Sequence, residues 1–275
     1  MSRNRQFTIA ISISLILVVF PGTLITSQDL DVPYVPTPHE VVAKMLDVTN
    51  VGPGDYVIDL GSGDGRIVIA AAERGAIGHG IDLNPKRVEE AKENALKADV
   101  TGRVTFLEGD LFKADISNAT VITMYLLSSV NLRLRPVLLE NLRPGTRIVS
   151  HSFSMGEWEA DEHINVDNRH IYYWVIPANM RGRWEWTSNG ERFTLDAGQE
   201  FQKVDLKVNS GNQSLLVQNP VLIGERISFS AINRQNGNLY LFSGRVDGNN
   251  ITGIAQIKSA NSSTVENWSA TLRGR

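Results

Sequence analysis

Between residues 37 and 176, short apolar runs alternate with amphipathic stretches of helical period. The runs at 56–60, 78–83, 104–107, 120–126 and 147–151 predict five strands, buried enough to carry little polar alternation. A helix is predicted at 66–74, ended by Gly75. A second opens at Asn84-Pro85 and places Val88, Ala91, Ala95 and Ala98 at helical spacing. A third covers 132–142 and stops at Arg143-Pro144-Gly145. Ahead of them all, Thr37-Pro38-His39-Glu40 predicts a helix start, with Thr37 as cap, Pro38 in the first turn and Glu40 reaching back. Val41, Val42, Met45 and Leu46 give that helix its apolar face. Residues 170–176 predict a further antiparallel strand at the sheet edge. Strands alternating with helices imply an α/β fold, a Rossmann-like, mostly parallel sheet with helices on both faces.

After about Asn179 the helical period disappears. Short alternating segments follow at 183–187, 201–208, 214–217, 226–232, 239–246, 251–257 and 268–272. Turn sequences such as Asn236-Gly237-Asn238 and Asp247-Gly248-Asn249 separate several of them. This pattern predicts a small all-β sandwich or barrel over 180–275, with Trp184 and Trp186 on its filled face. At the other end, Arg3 and Arg5 precede an apolar run of about 14 residues, then Pro21, Gly22 and a mixed stretch to Ser27. The expected organisation is a signal peptide or membrane anchor at 1–27, an α/β domain at 30–179 and an all-β domain at 180–275. The first segment implies export or membrane anchoring; without its function the chain stays in the cytoplasm.

Charge and composition narrow the chemistry. With 27 Lys plus Arg against 30 Asp plus Glu, the net charge of −3 provides no basic field for nucleic acid. No cysteine is present, which excludes disulfides, thiolate metal sites and thiol nucleophiles. His151, His163 and His170 lack metal-ligand spacing and read as ordinary strand or loop histidines; no metal site is expected. Glu157, Glu159, Asp161 and Glu162 read as a solvated loop, and Trp158 and Trp174 as packing residues.

The strongest local signal is Val57-Ile58-Asp59-Leu60-Gly61-Ser62-Gly63-Asp64-Gly65-Arg66, at the end of the first strand and the start of a helix. Glycines there let the backbone turn sharply and approach a ligand beside a helix amino terminus. Asp82 follows about 20 residues later at the tip of the second strand, where a carboxylate can accept both hydroxyls of a ribose. The spacing G-x-G-x-G differs from the G-x-G-x-x-G that makes room for a pyrophosphate. Asp59 would repel a diphosphate and suits the ammonium of a methionyl group.

These residues resemble the first motif of class I S-adenosylmethionine-dependent methyltransferases. The resemblance extends to Glu108-Gly109-Asp110-Leu111, which looks like the adenine-contacting segment, and to Thr123-Met124-Tyr125-Leu126-Leu127, which takes the place facing the methyl donor. Within that superfamily, Tyr34-Val35-Pro36-Thr37-Pro38, Asn131-Leu132-Arg133-Leu134-Arg135-Pro136 and residues 144–151 look like one group. It holds bacterial proteins and the mitochondrial protein-lysine methyltransferases of ATP synthase subunit c and the adenine nucleotide translocase. The resemblance implies S-adenosyl-L-methionine as cofactor, held by Asp59, Gly61, Ser62, Gly63, Asp64, Gly65, Asp82, Asn84, Asp110 and Leu111. It implies Tyr34, Thr37 and Tyr125 as catalytic-site residues and a protein lysine as acceptor, while the net charge argues for no nucleic acid partner. Two further readings stay open: a small-molecule methyltransferase, and an exported non-catalytic binding protein built on the same fold. In the matching motifs no histidine stands out as a base, so the proton of a lysine would pass to bulk water.

Overall fold

The computed structural model describes residues 34–275; the signal or anchor segment expected at 1–27 lies outside the described residues. Two sheets and four helices make up the regular structure, and the described residues gather into one compact unit. Among the described residues no helix is long and apolar enough to cross a membrane.

The first sheet and its flanking helices run in the order α1 (His39–Val48), β1 (Tyr56–Leu60), α2 (Arg66–Glu73), β2 (Ile77–Asp82), α3 (Pro85–Lys97), β3 (Val104–Glu108), β4 (Val121–Met124), α4 (Ser128–Asn141), β5 (Arg147–His151), β6 (Glu162–Val166) and β7 (Arg169–Val175), the seven strands forming the sheet. Its order is β3-β2-β1-β4-β5-β7-β6. The first five positions pair in parallel, and β7 runs antiparallel to both its neighbours. β1, β4 and β5 are almost wholly buried, as strands covered on both faces must be. One face packs Val57, Val121 and Val149 against Val41, Met45 and Leu46 of α1. The other packs Ile58, Ile122 and Ile148 against Leu134 and Leu138 of α4.

Several expectations change here. β7 is not the edge, because Glu162, read as part of a solvated loop, opens β6, and β6 closes the sheet. The hairpin turn between them is Asp167-Asn168, both at positive φ (48° and 63°), a conformation these two residue types tolerate. Thr37 does not cap α1. Pro38 holds the cap position without any side-chain cap bond, and Glu40 pairs with Arg169 of β7 at 3.4 Å instead of reaching back. The helix read from 132 starts a turn earlier, at Ser128.

The second sheet comprises β8 (Gly182–Ser188), β9 (Glu191–Glu200), β10 (Lys203–Ser210), β11 (Gln213–Ser214), β12 (Leu216–Ile223), β13 (Arg226–Ile232), β14 (Leu239–Asp247), β15 (Asn250–Lys258) and β16 (Ser263–Gly274). The nine strands pair antiparallel in the order β11-β10-β9-β8-β16-β15-β14-β13-β12. The sheet curls until β12 comes back beside β10, so it is nearly a barrel. Trp184, Trp186, Phe193, Phe229, Phe242 and Trp268 fill its interior. Trp186 stacks on Phe193 at 5.2 Å and meets Phe242 and Trp268 edge-on.

The junction between the sheets is bonded at many points. Phe201 stacks on Trp158 at 5.8 Å, and Gln202 accepts from Trp158 Nε1 at 3.0 Å while donating to Glu159 O and Asp161 Oδ1. Asp161, read as a solvated loop residue, also accepts from Val175 N, and burial raises its carboxyl above the usual range. The connecting segment is tied as well: Ala178 N donates to Gly224 O, and Met180, fully buried, donates its N–H to Gln199 Oε1. Gln202→Ala would strand the buried indole N–H of Trp158, which costs roughly 1–3 kcal/mol when a buried donor loses its partner. Urea denaturation should read that loss as a lowered midpoint.

Candidate active site

In an open parallel sheet, ligands bind beyond the carboxyl ends of the strands where the winding direction reverses. Here that point lies between β1, which continues to β2, and β4 on its other side. Asp59, on β1, is 2% exposed and accepts from Thr123 Oγ1 of β4 at 2.7 Å. Burial raises its carboxyl to about 7; the Thr123 bond pulls the other way, and Asp82 and Asp64 add to the rise. A carboxylate held in this state favours a cationic partner strongly.

The chain leaves β1 through Gly61, Ser62, Gly63, Asp64 and Gly65. Gly61 and Ser62 donate their N–H groups to Ile81 O, folding the loop back on β2. Gly63 sits at φ +53°, and a Cβ there would run into the ring of Tyr34. That contact puts Tyr34 directly over the loop, with the Arg87 guanidinium 4.6 Å above its ring. Asp82, at the tip of β2, accepts from Gly63 N at 2.8 Å and from Asn84 N at 2.8 Å. Each oxygen keeps a lone pair for a further donor.

Other predicted residues are placed differently from one another. Asp64 is engaged by Arg66, whose Nε donates at 2.9 Å; this pairing holds the carboxyl below its usual range against the opposing effect of burial. Arg66 in turn donates to Thr37 O at 2.8 Å, so the two residues lash the Tyr34-to-Thr37 strap to the glycine loop. Ser62 Oγ is buried without a partner. Asn84 accepts from Lys86 N and serves as the cap of α3. Asp110 accepts from Phe112 N at 3.0 Å beyond the end of β3, and Leu111 is partly buried against the core. Asp110 and Leu111 thus flank the second side of Asp82, two strands from Asp59.

On the far side of Asp59 the sheet register decides the geometry. Leu60 pairs with Met124 and Met124 with Ser150, so the next level holds Gly61, Tyr125 and His151 in one row. Side-chain alternation sends that level to the same face as Asp59 and Thr123. His151, read from the sequence as an ordinary strand histidine, is 2% exposed. Its ring lies 3.9 Å from that of Tyr125, which also stacks on Phe153 at 6.1 Å. His151 Nδ1 bonds Thr37 Oγ1 at 3.1 Å, and Nε2 is buried with no partner. Burial, helped by the Arg169 charge, lowers its pKa to about 4, so the ring is neutral at neutral pH. His151 is thus buried beside Tyr125 rather than being an ordinary strand histidine on the surface. Among the described residues no group of three or more His, Cys, Asp or Glu side chains could hold a metal ion.

A glycine loop beneath a buried acid, a second acid on β2 and an aromatic row on β4 and β5, in this strand order, define a class I methyltransferase site. Residues 59–162 match the family described as the ANTKMT methyltransferase domain. A protein-lysine N-methyltransferase of Saccharolobus islandicus is 46% identical over 153 residues, covering 53% of this chain and 94% of that protein. The mouse adenine nucleotide translocase lysine N-methyltransferase is 35% identical over 52% of the chain, which spans 62% of that relative. The crystal structure of an RNA methyltransferase from Salinibacter ruber with S-adenosyl-L-homocysteine superposes with TM-score 0.52 at 52% identity, covering 53% of this chain and 96% of that one. The chain belongs to the protein-lysine N-methyltransferase family. The family match ends at 162, ahead of the nine-stranded sheet.

The two buried titrating groups act oppositely on stability. Asp59, raised, contributes stability that is present below about pH 4 and lost as pH climbs through about 7. His151, lowered, contributes stability that is present above about 6.5 and lost as pH falls toward 4. Asp59→Asn should therefore stabilise the ligand-free protein at pH 8 by about 1–3 kcal/mol while weakening cofactor binding. Urea titrations across pH and calorimetry of the same variant check both halves.

Proposed function

We propose that the protein transfers the methyl group of S-adenosylmethionine to a lysine amine of a protein. The observation that carries this reading is the row beside Asp59. Tyr125, His151 and Phe153 cluster their rings at and just beyond the ends of β4 and β5, and burial keeps the imidazole neutral. Such a wall disfavours an ammonium and favours the neutral amine that can attack a methyl group. The family relatives named for lysine transfer support the same acceptor.

In this reading Asp59 faces the cofactor's ammonium, and the loop of Gly61, Ser62, Gly63 and Gly65 lies against its methionyl portion. Asp82 takes the ribose hydroxyls, Asp110 and Leu111 the adenine, and Tyr34 closes over the loop. Asp64 and Asn84 act through the backbone they hold. Methyl transfer from a sulfonium has a good leaving group, so alignment of donor and acceptor contributes most of the catalysis. The nitrogen lone pair forms the new C–N bond, the C–S pair stays on sulfur, and the surplus proton leaves to solvent.

The Salinibacter relative carries an RNA name, which makes RNA the second reading. The net charge of −3 supplies no basic surface for a phosphate backbone, and this favours protein over RNA. We propose too that the amino-terminal segment inserts into or across a membrane, which would bring the site to membrane-associated acceptors. Recovery of the full-length, uncleaved chain in a soluble cytoplasmic fraction would rule that out.

Incubating the protein with labelled cofactor and separate protein and RNA fractions, followed by mass spectrometry, should find the methyl group on lysine nitrogen. Label confined to RNA would reverse the assignment. The rate should climb between about pH 7 and 9, because a lysine of pKa about 10.4 supplies more neutral amine across that range. Asp82→Ala should weaken cofactor binding by roughly 2–4 kcal/mol, as two charged hydrogen bonds are lost.

A further inference from the structure

We infer that His151 is a catalytic residue, whose Nε2 accepts a hydrogen bond from the acceptor amine and aims its lone pair at the methyl group. The inference rests on the lysine reading above and deepens it. Four independent features of the structure converge on this atom.

The first is position. His151 ends β5 at the level of Gly61 and Tyr125, on the face that carries Asp59. The second is an unmet valence. Nε2 is buried and has no partner, although buried polar atoms in folded proteins nearly always find one. A ligand that brings an N–H to this point would satisfy it. The third is orientation. Thr37 Oγ1 at 3.1 Å fixes the other ring nitrogen, and Tyr125 at 3.9 Å fixes the ring plane. With Thr37 accepting from Nδ1–H, Nε2 presents a lone pair rather than a proton. Thr37 is itself held by Arg66, which is tied to Asp64 in the glycine loop. A chain of contacts therefore runs from the cofactor loop to the imidazole.

The fourth is charge. The groups facing the ring are Tyr125 from β4, the Thr37 strap with its Arg66, and Arg169 from β7, itself paired with Glu40 of α1. Among the described residues no carboxylate is hydrogen-bonded to either ring nitrogen. An imidazole in such surroundings stays neutral, so it can accept a hydrogen bond throughout the working range of a lysine transferase. It does not need to keep the proton. The amine enters neutral, having released a proton to water. The lone pair displaces sulfur, and the positive charge that grows on nitrogen strengthens its N–H bond to Nε2. The product ammonium then leaves or loses its proton to solvent. Thr37 is a positioning residue in this scheme, acting through His151.

His151→Phe keeps the ring stack and removes the acceptor atom. Loss of one hydrogen bond to a developing charge should lower kcat roughly 10- to 100-fold, with S-adenosylhomocysteine affinity within about twofold of wild type. His151→Gln, which returns an acceptor oxygen near the Nε2 position, should recover part of the loss. Thr37→Val should lower kcat and Thr37→Ser should restore it. Calorimetry with S-adenosylhomocysteine certifies that each variant is folded. A wild-type turnover in His151→Phe with lysine still methylated would overturn the inference and leave the lysine reading intact. A wild-type product carrying its methyl group on RNA would overturn both.

Discussion

Asp59 is the residue around which the site is arranged. A carboxylate at the end of the central strand, almost sealed from water, is costly unless charge or hydrogen bonds compensate it. The Thr123 hydroxyl offsets part of that cost, and the raised carboxyl shows that the rest is outstanding. A cationic ligand would remove the deficit, and under the proposed function that ligand is the ammonium of the cofactor's methionyl group. The surrounding devices follow from that need. Asp82 grips the loop through Gly63 so that the backbone passes close by, and Tyr34 lies over Gly63 where no side chain fits.

The opposite side of the row follows opposite logic. His151 is neutralised by the same kind of burial that raises Asp59, and the two groups sit on adjoining parts of one sheet face. Under the proposed function, charge is concentrated where the cofactor would be held and absent where the neutral amine would attack. Register alone supplies this division. β1, β4 and β5 pair in parallel, so successive levels deliver a paired acid, a core layer and then an uncharged aromatic rim.

How much of this was legible in the sequence depends on the range of the interactions. The glycine loop reads directly because Gly61, Gly63 and Gly65 all need positive φ and stand together beside Asp59. Strands β1, β4 and β5 read well because they are buried on both faces. β9 was missed: Asp196 and Gly198 interrupt its apolar alternation, and it exists through its ladders with β8 and β10. β6 was hidden for a similar reason, since Glu162 and His163 face solvent and only pairing with β7 makes the strand. Thr37 and His151 are separated by 114 positions, so no local pattern could link them, and Thr37 looked like a cap because Pro38 follows it. The first sheet's likeness to its relatives shows in its motifs, whereas the second sheet has alternation and turns but no motif that names a partner.

The junction between the two sheets has a consequence for how such a protein could change over time. Trp158, Glu159 and Asp161 lie on the approach to the first sheet's last hairpin, and they are fastened to Phe201 and Gln202 of the second. The nine-stranded sheet is thus not a bead on a string that recombination could exchange at the 176–182 segment. A graft made there would leave an indole N–H and a carboxyl on a raw surface. A workable transplant must carry both halves of the mating surface, the indole and carboxyl of the first sheet with the ring and amide of the second.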